Sequence, residues 1–220
     1  MAAIIAALVD VDGTLIDSND AHALSWKTTL QRFGFVVPFD EVRRHIGEGG
    51  DKLLAALAKI DIDSKLGEEI VRARALAFRE LLPDVRAFDG ARPLLEALHA
   101  RGTRIVIATS AKQDELRSLL RIAEVEHVLV GSTTSDEAEN SKPDPDILHA
   151  AATKAGCRPG ACVMIGDTPY DVIAARKAGT HAIAFRCGGW DDASLCDADE
   201  IYDGPRELLR RLDESIFGRS

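Results

Sequence analysis

The sequence predicts an α/β protein: a doubly wound, Rossmann-like parallel sheet with an all-helical cap domain inserted into it. Three observations carry that prediction. Ile4 to Val9 is a continuous apolar run, as expected of a strand covered on both faces. From Val85 onward, strand-like and helix-like segments alternate. Between them, for about seventy residues, only helical spacing is found.

The elements follow in order. The first strand ends abruptly at Asp10-Val11-Asp12-Gly13-Thr14. Trp26, Leu30 and Phe33 then share one helical face, and Gly34 lies where that helix should stop. Asp40 is placed to cap a short helix from Glu41 to Ile46. Gly47-Glu48-Gly49-Gly50 is a loop, Leu53, Leu54 and Leu57 resume helical spacing, and Leu66 to Leu82 is helical up to Pro83. In the second part, helices are predicted over Ala91 to Ala100, Gln113 to Ile122, Pro145 to Ala155, Pro169 to Ala178 and Pro205 to Leu212. Strands are predicted over Arg104 to Ala108, Val128 to Val130, Ala161 to Ile165, His181 to Phe185 and, at the edge, Glu200 to Tyr202. The expected division is a discontinuous core, 1–16 with 86–220, and a cap, 17–85. Its two linkers, near Leu15 to Ser18 and Pro83 to Ala87, form an expected hinge.

Composition limits the function. A chain of 220 residues with abundant aliphatics has a sizeable core. A net charge of −9 disfavours nucleic acid and anionic membrane as partners. It also requires local cations wherever an anionic substrate binds. The first apolar run is too short to span a bilayer and lacks a basic leader, so a cytoplasmic location is expected. Cys157, Cys162, Cys187 and Cys196 have no metal-binding spacing and are expected to be reduced thiols. No long apolar stripe demands a partner, so a monomer or weak dimer is expected.

Four groups of polar residues each follow a different strand. In a doubly wound sheet the C-terminal strand ends converge on one crevice. Asp10 and Asp12, two apart, form a polar turn or a nucleophile with a proton shuttle. Thr109-Ser110 are hydroxyls suited to phosphate oxygens and also ordinary helix caps. Lys142, stiffened by Pro143 and Pro145, suits a fixed cation. Asp167 and Asp171, at the start of a helix, suit capping or a hard divalent cation.

Together, in this order, the four groups resemble the haloacid dehalogenase superfamily, whose first motif is Asp-x-Asp-Gly-Thr. The resemblance covers nearly the whole chain and is nearest the branch of phosphoglycolate phosphatase and β-phosphoglucomutase. It implies that Asp10 is the nucleophile and that Asp12 protonates the leaving oxygen. It implies Mg²⁺ held by Asp10, the backbone carbonyl of Asp12, and Asp167, with Asp171 nearby. Thr109, Ser110 and Lys142 would grip the phosphoryl group. The implied activity is hydrolysis of a small phosphorylated metabolite. Thr14, His22, Glu48, Gly49 and Lys52 are the candidate substrate contacts, with Arg43 and Arg44 also in view. Two alternatives are a sugar phosphomutase and a non-catalytic phospholigand-binding protein. The mutases usually offer a cap-loop arginine near the place of Gly50, which weighs against the first. No catalytic group is missing, which weighs against the second.

Overall fold

The computed structural model describes residues 3–137 and 140–219. The chain divides into two compact units, 1–17 with 86–220, and 18–85.

The first unit is built on six parallel strands. They are β1 (Ala6–Val9), β4 (Arg104–Ala108), β5 (Leu129–Thr133), β6 (Cys162–Gly166), β7 (His181–Phe185) and β8 (Glu200–Tyr202). The spatial order is β5-β4-β1-β6-β7-β8. The chain therefore runs outward from β1 in one direction, then crosses back to build the other half. That reversal opens a crevice at the C-terminal ends flanking β1. Helices α5 (Ala91–Ala100), α6 (Gln113–Ala123), α7 (Asp146–Ala155) and α8 (Pro169–Ala178) supply the crossovers. Alternate strand residues point to opposite faces. Ala6, Leu8, Val106 and Met164 pack with Ile147, Leu148, Ala151 and Val172 from α7 and α8. Ala7, Val9, Ile105, Ile107 and Ile165 are equally buried. Both faces are thus covered, which explains why these strands are apolar throughout.

A two-stranded antiparallel ribbon was not foreseen: β2 (Ile16–Asp17) with β3 (Arg86–Ala87). Two-residue strands are too short to show a period. Asp17 pairs with Arg86, so it stays with the core, one residue beyond the expected boundary. The short helix α9 (Asp192–Leu195) was also missed, and the last helix, α10 (Pro205–Arg210), is shorter than expected. The strand expected at Val128 begins at Leu129 because Glu126–Val128 close a 3₁₀ turn.

The second unit holds α1 (Asn19–Arg32), α2 (Phe39–Arg44), α3 (Gly50–Ala58) and α4 (Lys65–Leu81). Ala23, Trp26, Leu30, Val42, Leu53, Leu54 and Ile70 form its core. Pro38, not Asp40, occupies the N-cap position of α2 and makes no side-chain capping bond; Asp40 lies in the first turn, where its charge suits the helix N-terminus. Ser64 caps α4, its hydroxyl accepting the Gly67 N–H at 3.0 Å. A β-carbon on Gly67 would lie 2.2 Å from the Asp61 carbonyl, so only glycine lets α4 start this close to the preceding turn.

All four cysteines are free, and the sulfurs of Cys157 and Cys162 are 3.2 Å apart. Among the described residues, no helix is long and apolar enough to cross a membrane.

Candidate active site

Asp10 directly follows β1, and its N–H donates to the Ile165 carbonyl of β6 at 2.9 Å. The next residues turn tightly. Gly13 has φ +77°, and its N–H donates to Ile16 at 2.7 Å. That positive φ is why glycine is needed there. The turn leads into Thr14, whose hydroxyl donates to Asp167 Oδ1 at 2.9 Å.

Lys142 is fully buried. Its ammonium lies 2.7 Å from Asp10 Oδ1 and 2.7 Å from Asp171 Oδ1. Asp171 has a second task. Its Oδ2 accepts from the Thr168 N–H at 3.1 Å and hydroxyl at 2.7 Å, closing a reciprocal cap at the start of α8. Asp171 thus completes the cap that Thr168 begins with one oxygen and meets Lys142 with the other.

Asp10, Asp167 and Asp171 are all buried, and each offers an oxygen within 4.8 Å of the others. Burial raises the Asp10 carboxyl well above the ordinary carboxylate range; Lys142 opposes this, while Asp171, Asp167 and Asp12 add to it. Burial disfavours the Lys142 ammonium, but the Asp10 and Asp171 carboxylates outweigh it and keep it charged beyond the ordinary lysine range. Around the Asp10 carboxyl, Lys142 is thus set against the charges of Asp171, Asp167 and Asp12. An all-oxygen set short of positive charge fits a hard divalent cation.

Thr109, at the end of β4, is buried and its hydroxyl accepts from the Ala111 N–H at 3.1 Å. The Ser110 hydroxyl is buried with no partner, as are those of Thr133 and Thr134 at the end of β5. The last two escaped the sequence reading because β5 was placed too early.

Thr14, a candidate substrate contact, is fully buried, with its hydroxyl donating to Asp167 Oδ1. The other candidates belong to the helical unit. His22 is buried, stacked on Phe78 at 4.0 Å and paired with Arg74. Arg74 also lies over the Trp26 ring at 5.4 Å. Glu48 meets His45 at 2.5 Å, and burial raises its carboxyl against the pull of that imidazole. Gly49 caps α3 and Lys52 lies in its first turn. Arg43 pairs with Asp20 at 2.8 Å.

Residues 7–185 match the model of the haloacid dehalogenase-like hydrolases. The chain belongs to that family. Among its relatives is a phosphoglycolate phosphatase of Nitrosospira multiformis, 32% identical over 96% of each chain. Another is an N-acetylmuramic acid 6-phosphate phosphatase of Pseudomonas aeruginosa, 31% identical over 96% of each. A solved hydrolase from Pseudomonas syringae superposes with a TM-score of 0.90 at 31% identity, covering 96% of this chain and 98% of that one. A β-phosphoglucomutase from Clostridium difficile shares the fold alone, with a TM-score of 0.86 at 16% identity. This haloacid dehalogenase-like hydrolase is a phosphatase.

Proposed function

We propose that the chain is a Mg²⁺-dependent phosphatase that hydrolyses a small phosphorylated metabolite through an aspartyl phosphate on Asp10. The observation that carries this reading is Lys142, buried and 2.7 Å from both Asp10 and Asp171, beside the three-acid cluster.

Asp10, Asp167 and the backbone carbonyl of Asp12 would hold the ion, with Asp171 alongside. When bound, Mg²⁺ supplies charge neutralisation at the phosphoryl oxygens. The chain's own groups do the rest. Asp10 attacks phosphorus while the ester oxygen departs and takes a proton from Asp12. Asp12 then removes a proton from water, which attacks the phosphorus of the aspartyl phosphate and frees Asp10. Lys142 fixes Asp10 Oδ1, which leaves Oδ2 to attack, and it screens the nucleophile from an anionic substrate. Ser110 supplies an uncommitted hydroxyl to the phosphoryl oxygens.

A panel of metabolite phosphates, assayed for free phosphate with and without Mg²⁺, tests this. Mg²⁺-dependent release on at least one small ester is expected, and Asp10→Asn is expected to abolish it. Turnover of Asp10→Asn at the wild-type rate would remove Asp10 from its role. Isomerised sugar phosphate with little free phosphate would point to a mutase.

A further inference from the structure

The chain immediately after β7 turns back against the acid rim. Arg186–Gly188 form a single 3₁₀ turn, closed by Gly189 at φ +94°. Gly188 is buried, and a β-carbon built on it would lie 1.8 Å from Asp167 Oδ2 and 2.4 Å from the Asp167 β-carbon. The Asp167 carboxylate therefore occupies the space that any side chain at 188 would need. The preceding residue holds the other side. The Cys187 thiol donates to the Gly13 carbonyl at 3.3 Å. Gly13 is thus gripped at both ends of its backbone, because its N–H is already committed to Ile16. The next residue, Thr14, is the one that donates to Asp167 Oδ1. The turn itself is anchored from outside. Arg186 makes a two-pronged contact to Asp192 at 2.6 and 3.0 Å and reaches Asp203 at 2.8 Å.

We propose that the Arg186–Gly188 turn is a positioning element for the metal-holding acids. Gly188 leaves room for the Asp167 carboxylate, and Cys187 fixes the loop from which Thr14 reaches that carboxylate. None of these residues touches the reacting atoms; they act through Asp167. The inference rests on the reading of Asp167 as a Mg²⁺-holding acid.

The physical expectation is specific. Groups that orient a metal-holding acid tune its affinity for the ion more than they tune substrate binding. Gly188→Ala forces Asp167 to move. Cys187→Ala removes the donor to Gly13, whereas Cys187→Ser keeps one. Gly160→Ala is the control, because its new β-carbon meets nothing nearer than 3.9 Å.

The experiment is calorimetric titration of substrate-free protein with Mg²⁺, with circular dichroism to confirm folding and steady-state assays to separate Mg²⁺ half-saturation from substrate KM. Gly188→Ala is expected to weaken Mg²⁺ binding on the order of tenfold or more. Cys187→Ala is expected to weaken it less, Cys187→Ser to restore most of the loss, and Gly160→Ala to match wild type. A folded Gly188→Ala protein with wild-type Mg²⁺ affinity would overturn the proposal. If Gly188→Ala does not fold, the cysteine variants decide, and equal Mg²⁺ affinity for Cys187→Ala and wild type overturns it. A wild-type chain that binds no Mg²⁺ removes the functional reading itself and this inference with it. That result is distinct from a wild type that binds while the turn variants bind equally well.

Discussion

A lysine without solvent exposure is tolerable only where carboxylates meet it, and Lys142 has two. Replacing it with Met leaves both acids uncompensated in a buried place. Lys142→Met is expected to destabilise the metal-free protein by about 3–5 kcal/mol, measured by urea unfolding in EDTA, and to abolish turnover. Thr14 acts more locally. Thr14→Val removes a donor to Asp167 Oδ1, and Mg²⁺ half-saturation is expected to rise on the order of tenfold while substrate KM changes little. An unchanged metal requirement would show that Thr14 serves packing alone. At this scale the sequence was most legible where chemistry demands a residue type: Asp10, Lys142, Asp167 and Asp171 all gather at one rim. Thr14 was legible as important but not as a support for Asp167, since a hydroxyl's partner 153 positions away leaves no local mark. Gly188 and Cys187 were invisible for the same reason.

Helix α8 joins stability to chemistry through its first turn. Thr168 and Asp171 cap each other, and the same Asp171 meets Lys142. Thr168→Ala is expected to lower stability by about 1–2 kcal/mol, read as a shift in the unfolding midpoint, and to lower activity through the freed Asp171. A stability loss with full activity would mean that Lys142 alone suffices to hold that acid. Long elements were readable because their apolar spacing repeats: β4, β7, α5 and α8 lie where the pattern put them. The ribbon of β2 and β3 was not, because two residues carry no period and its partners are separated by the whole helical segment. The cap of α2 was misplaced because Asp40 suits the first turn as well as the cap, and Pro38 took the earlier position.

The whole molecule carries a net charge of −9 and gathers Asp10, Asp167 and Asp171 into one buried cluster. Burial first, then the Asp171, Asp167 and Asp12 charges, raise the Asp10 carboxyl against the pull of Lys142. An acid whose folded-state value exceeds its unfolded one favours folding while protonated; that contribution is full below the unfolded value and lost as pH rises through the folded one. The Asp10 contribution to the stability of metal-free protein is therefore expected to fall as pH rises above the ordinary aspartate value. Thermal melts in EDTA across that range check it, and Asp10→Asn should flatten the slope. A wild-type profile that rises with pH relative to that of Asp10→Asn would contradict the assignment. The doubly wound order and the helical insertion were legible at this scale because alternation, and its interruption, span many residues each.

The ribbon has a consequence for how such a protein diversifies. Asp17 and Arg86 face each other across a ladder, so a short hairpin turn would join them as well as the natural helical segment does. The order of the six-stranded sheet does not depend on what is spliced between those two strands. Selection is free to exchange the whole cassette while leaving the six-stranded sheet untouched.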